Sequence, residues 1–115
     1  MEKSYAELVE DARASVKQVT ADEVMAAGDD TVMIDCRERN EWNLAHIPGA
    51  ILIPRSEIQS QVEGLIPREK KVVIYCASGN RSALAAAAMQ EMGYSDVASM
   101  AGGIRAWADA GGAIE

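Results

Sequence analysis

The run Val72-Val73-Ile74-Tyr75-Cys76-Ala77-Ser78-Gly79-Asn80-Arg81-Ser82, followed by the alanine-rich stretch Ala83 to Ala88, constrains the fold more than any other feature of the chain. A β-branched run, a short glycine-containing turn and a segment of high helix propensity, in that order, specify strand, loop and helix in immediate succession. Such a unit belongs to a parallel sheet, because a helix laid across one face is the usual return path to the start of the next parallel strand. It also puts Cys76 at the carboxyl end of a strand, where loop N–H groups and the positive end of a helix dipole converge. An anionic sulfur is stabilised in such a bowl, which makes Cys76 a candidate nucleophile.

The rest of the chain repeats the pattern. Tyr5, Leu8, Val9, Ala12 and Val16 recur at helical spacing and predict an amphipathic leading helix. Thr20-Ala21-Asp22-Glu23 reads as a capping box opening a second, short helix, with Gly28 as its left-handed stop. Strands are predicted at Thr31 to Asp35, Ala50 to Ile53, Val72 to Tyr75 and Val97 to Met100, with a helical turn between Glu38 and Asn43. Ser56 is expected to cap a helix reaching Val62, Ser82 to Met92 to form a helix closed by Gly93, and Gly102-Gly103 to turn into a last helix bearing Trp107. Alternation at this interval argues an α/β fold, a parallel sheet with helices on both faces. Residues 1–17 are expected to be a helical extension packed on a domain of residues 18–115, contact with a second subunit or partner being the alternative for its apolar stripe.

Composition narrows the function. At 115 residues, 49% apolar and 25% charged, the chain fits one soluble domain with a single core. No apolar run approaches the roughly 20 residues of a membrane span, and Met1 to Tyr5 lacks the apolar core of a signal peptide, so a cytoplasmic location is expected. There Cys36 and Cys76 are expected as thiols. A net charge of −7 disfavours nucleic acid and anionic membranes as partners, so an anionic substrate must be drawn locally by arginines and backbone donors.

Cysteine-dependent phosphatases cradle phosphate with Cys-x5-Arg, whereas four residues separate Cys76 from Arg81, one too few for that bowl. The backbone amides from Ala77 to Ser82 are the expected cradle, Ala77, Ser78, Gly79, Asn80, Arg81 and Ser82 forming its wall. Arg81 is the candidate to grip an anionic donor with its planar fork of N–H groups. The Ser78 and Ser82 hydroxyls are further candidates, equally explained as turn and helix-start residues. Cys36 also ends a predicted strand, but no glycine turn and clear helix follow it; it reads as a packed residue, with a redox or resolving role as the alternative. His46, the chain's single histidine, is expected to fix the turn at Ile47-Pro48-Gly49 rather than act as a base. Trp42 and Trp107 read as core anchors. No metal or cofactor is called for, since no second histidine or cysteine stands at ligand spacing.

Four motifs in order resemble the single-domain rhodanese family: Ile34-Asp35-Cys36-Arg37-Glu38 with Glu41-Trp42, Ala45-His46-Ile47-Pro48-Gly49-Ala50, the loop from Cys76 through Gly79 and Arg81 to Ser82, and Gly102-Gly103 with Trp107. They span about residues 18 to 112 and depart from the family pattern at Cys36, Ala45 and Ala113, where valine, glycine and proline are commoner. The resemblance implies a rhodanese-like three-layer α/β fold, with a central parallel sheet of about five strands. It implies a sulfurtransferase in which Cys76 carries a persulfide, loaded by a small anionic donor such as thiosulfate or another persulfide. Cyanide or a thiol would unload it, the thiol belonging to a thioredoxin-like or biosynthetic protein. Arg37 becomes a second substrate-side candidate by resemblance, pairing with Asp35, Glu38 or Glu41 being its plainer reading. The rivals are a small cysteine phosphatase or arsenate reductase, disfavoured by the short loop and by Tyr75 where tyrosine phosphatases have histidine, and a non-catalytic binding module.

Overall fold

In the strand β4 (Val72–Tyr75) side chains alternate between two cores, and that alternation organises the molecule. Val72, Ile74 and, one residue on, Cys76 enter one core, while Val73 and Tyr75 enter the other. The computed structural model describes residues 2–115, so Met1 of the expected extension lies outside the described residues. Around β4 lie β1 (Lys17–Val19), β2 (Val32–Asp35), β3 (Ile51–Leu52) and β5 (Val97–Met100), all parallel, in the order β1-β5-β4-β2-β3. Among the described residues six α-helices complete the layers: α1 (Tyr5–Ser15), α2 (Ala21–Ala26), α3 (Arg39–Leu44), α4 (Ile58–Leu65), α5 (Asn80–Glu91) and α6 (Gly103–Asp109).

Residues from α4 and α5, among them Ile58, Val62, Ala85, Ala86 and Met89, close one core against Ile34 and Ile74. Ala21 and Val24 of α2 and Trp107 of α6 close the other against Val73, Tyr75 and Ala98. Each fully buried valine or isoleucine contributes roughly 1.5–3 kcal/mol relative to exposure, so the two cores hold the sheet between them. Strand order reverses direction between β2 and β4, since β3 lies on one side of β2 and β4 on the other. A crevice at the carboxyl ends of strands forms at such a point. Among the described residues no helix is long and apolar enough to cross a membrane.

Local signals set most helix starts. Ser4 and Thr20 each accept from the N–H three residues on while Glu7 and Glu23 reach back, two complete capping boxes. Two expectations need correction, one strand was not foreseen, and one apolar stripe is covered only in part. The strand β1 was not foreseen, because Lys17 and Gln18 are exposed and only its pairing with β5 makes this edge segment extended. Ser56 caps nothing: it sits in a 3-10 turn, Arg55–Glu57, and α4 begins only at Ile58. In α1, Val9 and Ala12 are buried, but Tyr5 and Leu8 are 53% and 47% exposed, so its stripe is only partly covered. Trp42 is half-buried and lies outside both cores, stacked at 3.7 Å on the His46 ring.

Candidate active site

Helix α5 starts without a side chain to cap it, because its N-cap is Gly79, held at φ +107°. Cys76 supplies the missing acceptor. The Gly79 N–H donates to Cys76 Sγ at 3.0 Å and the Ser82 N–H, in the first turn of α5, at 3.4 Å. Ser82 Oγ lies 3.5 Å from the same sulfur and 2.8 Å from Ser99 Oγ on β5. With Cys76 ionised, the Ser82 hydroxyl donates to the sulfur and accepts from Ser99, so this buried chain of hydroxyls is satisfied. The helix dipole adds a favourable field.

These donors acidify the thiol. The Cys36 thiol alongside is the largest cause, opposed by burial and reinforced by the Ser82 hydroxyl and the Ser82 and Gly79 N–H groups, and together they lower Cys76 to about 4. The same contact with Cys76, joined by burial, raises Cys36 well above the ordinary thiol range. Cys76 is therefore the ionised member of the pair and Cys36 the protonated one.

The loop is braced from below by α6. Gly103 sits at φ +60° so close beneath it that a Cβ there would lie 2.3 Å from the Cys76 carbonyl oxygen. From α6, the Ile104 N–H donates to that oxygen at 2.8 Å and the Arg105 N–H to the Ala77 carbonyl at 3.4 Å. The pair Gly102-Gly103 thus does more than start a helix.

The other candidates are arranged around this sulfur. Ala77, Ser78 and Asn80 line the loop without donating to Sγ among the described residues, Ser78 and Asn80 being exposed. Arg81 is gripped by Glu41 of α3 through two bonds, Nη1 to Oε1 at 2.7 Å and Nη2 to Oε2 at 2.9 Å. That pairing lowers Glu41 to about 2. Arg13 of α1 also reaches the loop, donating to Asn80 Oδ1, and forms no ion pair among the described residues. Neither Glu41 nor Arg13 was singled out as a site residue from sequence. Only its place in the Glu41-Trp42 motif hinted at the first, and α1 lies outside the motif-bearing region.

Arg37 pairs with Asp35, the plainer of its two readings. Its Nε and Nη2 reach both Asp35 oxygens at 2.8–3.1 Å, and Nη2 also donates to the Ala45 carbonyl at 2.6 Å. Asp35 and Arg37 are 0% and 6% exposed, and the guanidinium lies 5.8 Å from the centre of the Tyr75 ring. Breaking a buried pair by removing one partner leaves an uncompensated charge, so Arg37→Ala is expected to cost about 3–5 kcal/mol in urea unfolding. A loss below about 1 kcal/mol, the range of an exposed pair, together with weaker donor binding, would instead make it a substrate contact. His46 reaches back to α3 and across to the C-terminal segment, not to the turn at Ile47-Pro48-Gly49: its Nδ1 lies 3.0 Å from the Trp42 carbonyl oxygen and its Nε2 3.4 Å from a Glu115 carboxylate oxygen.

Comparison with known proteins agrees with this geometry. The Rhodanese-like domain family model matches residues 20–110. The probable adenylyltransferase/sulfurtransferase MoeZ of Mycobacterium tuberculosis is 46% identical over 84 residues, which are 71% of this chain and 21% of that protein. The chain thus spans about a fifth of that relative's length. A sulfurtransferase of Allochromatium vinosum is 38% identical over 84 residues, 73% of this chain and 78% of that one. Among solved structures, a protein of unknown function from Rhodopseudomonas palustris, described as a possible tyrosine phosphatase, superposes with a TM-score of 0.89 at 34% identity, covering 100% of this chain and 96% of that one. The matched stretch runs from the cap of α2 through α6 and carries Cys76 with its loop and brace, so the chain belongs to the rhodanese-like domain family.

Proposed function

We propose that this chain moves a sulfane sulfur from a small anionic donor, thiosulfate or a persulfide, to a thiol or cyanide acceptor through a persulfide on Cys76. The observation that carries this reading is the buried Cys76 sulfur that accepts from the Gly79 and Ser82 N–H groups at the mouth of α5. Sulfur transfer in the names of two relatives supports it. The four-residue spacing from Cys76 to Arg81 weighs against a phosphate bowl.

In the first half-reaction the Cys76 thiolate attacks the outer sulfur of thiosulfate and sulfite departs. In the second, the acceptor attacks that same sulfur and the Cys76 thiolate leaves. The low pKa serves mainly the second step. At pH 7 an ordinary thiol is about 3% ionised, so full ionisation is worth about 30-fold. A drop of about 4.5 units with a Brønsted slope of 0.4–0.5 lowers intrinsic nucleophilicity by roughly 60- to 180-fold, which more than cancels that gain. A thiolate of low basicity is, however, a good leaving group, and this speeds release of sulfur to the acceptor. The loop amides of Ala77, Ser78, Asn80 and Arg81, together with Gly79 and Ser82, are assigned to the outer sulfur of the persulfide.

Arg81, held by Glu41, and Arg13, bonded to Asn80, are assigned to the donor's oxygens. Arg37, buried on Asp35, is assigned to support the β2 end. Thiocyanate formation from thiosulfate and cyanide tests the reading, with ping-pong kinetics expected. Arg81→Ala is expected to raise the KM for thiosulfate about tenfold with a smaller change in kcat, the worth of one charge-assisted contact in ground-state binding. An unchanged KM would remove Arg81 from the donor site.

A further inference from the structure

Transfer through Cys76 leaves Cys36 without a part, yet the fold sets the two cysteines side by side. Strands β2 and β4 pair in register through Asp35 and Tyr75. The ladder continues one step further, the Cys36 N–H donating to the Tyr75 carbonyl at 3.0 Å. Cys36 and Cys76 are therefore the next partners across two hydrogen-bonded parallel strands. Such strands lie about 4.8 Å apart, within the span of roughly 4.4–6.8 Å that a disulfide bridges between Cα atoms. Both side chains enter the same core, with Ile34 and Ile74 behind them, and both residues are at most 1% exposed and unbridged.

We propose that Cys36 is a resolving thiol: when no acceptor arrives, it attacks the inner sulfur of the Cys76 persulfide, closes a Cys36–Cys76 disulfide and expels the outer sulfur as hydrosulfide. This rests on the sulfur-transfer reading. The bond formed is Cys36 Sγ to Cys76 Sγ, and the bond broken is that between Cys76 Sγ and the sulfane sulfur. The pair in the broken bond leaves with the outer sulfur, which also takes the Cys36 proton, so anionic persulfide plus thiol gives disulfide plus HS⁻. The sulfane sulfur is itself the oxidant, and no other co-reactant is needed. The disulfide then blocks further loading until a dithiol reductant opens it.

The environment makes resolution slower than transfer. Cys36 keeps its proton beside the Cys76 anion, so an ionised acceptor has the faster route to the outer sulfur. Loading moves the negative charge one atom outward, away from Cys36, and relieves the repulsion that holds its proton. The site thereby discharges stranded sulfur as sulfide, a second activity built from a residue that packing alone would fill with an aliphatic side chain.

The test uses the reduced chain, residues 1–115, exposed to thiosulfate, freed of excess donor and followed by intact mass and by sulfide release. Wild type is expected to gain one sulfur, then pass to a species lighter than the reduced protein by two hydrogens as sulfide appears in equal amount. Cys36→Val and Cys36→Ala, which remove the thiol but keep an apolar side chain, are expected to hold the added sulfur at least about tenfold longer and to form no such species. Non-reducing peptide mapping is expected to join the Cys36 and Cys76 peptides in wild type. An adduct of equal lifetime in wild type and both variants, with no bridged peptide, overturns the inference alone. No adduct in any of the three overturns the sulfur-transfer reading from thiosulfate and this inference together.

Discussion

Cys76→Ser is expected to take up no sulfur and to lose at least about 1,000-fold in transfer rate, while remaining folded. Serine keeps an acceptor for the Gly79 and Ser82 N–H groups, so the cap on α5 survives in neutral form. What goes is the anion and with it the persulfide. Stability against pH adds a second signature. The folded thiol is depressed to about 4 while an unfolded cysteine titrates near 8.5, so between those values the unfolded chain holds a proton that the native chain lacks. The contribution of Cys76 is thus complete above about pH 8.5, falls as the pH falls and is gone below about pH 4. Wild type is expected to gain stability over Cys76→Ser as pH rises through that window, by at most about 1.4 kcal/mol per pH unit. Parallel pH profiles in the two proteins would mean that Cys76 is not ionised in the native state.

Gly103→Ala is expected to lower stability by about 3 kcal/mol or more and to impair sulfur loading in the molecules that remain folded. The added Cβ would stand 2.3 Å from the Cys76 carbonyl oxygen and 2.6 Å from the Ala77 carbonyl carbon and oxygen. All three are backbone atoms, so no side chain can swing aside. Relief requires α6 to lift or the Cys76–Ala77 peptide to tilt, and tilting it disturbs the ring of N–H donors that begins there. Gly111→Ala supplies the control, since it has φ +87° with nothing within 4 Å of the new Cβ. It is expected to cost about 1–2 kcal/mol, the penalty of the left-handed backbone alone. Equal losses in the two variants, read from urea midpoints, would show that α6 does not brace the loop.

The contrast between Cys76 and Cys36 shows what a sequence of this kind discloses. Cys76 was legible because everything that acidifies it from its own loop is local: a glycine turn and a helix start within seven residues, Cys76 to Ser82, directly after a strand. Thr20 and Glu23 were legible for the same reason, a cap being a contact three residues long. The largest cause of the acidity was not legible, because Cys36 lies forty residues upstream and only the order β4-β2 brings it alongside. The grip of Glu41 on Arg81 and the reach of Arg13 to Asn80 are likewise products of packing between elements distant in the chain. Edge strand β1 escaped for a different reason: an exposed Lys17-Gln18 pair carries no strand pattern, and only β5 beside it supplies the partner. Ser56 misled because a good capping residue is also a good turn residue, and here the chain after Pro54 uses it for the turn.

Sulfur transfer by this site requires that Cys76 itself carry the sulfur in transit. Intact-mass spectrometry of the reduced protein, briefly loaded with thiosulfate and then treated with cyanide, tests it most directly. A gain of one sulfur atom is expected, one that maps to the Cys76 peptide and is discharged by cyanide as an equal amount of thiocyanate. Thiocyanate formed at a normal rate by Cys76→Ser, or an added sulfur that maps to Cys36 instead, would contradict it.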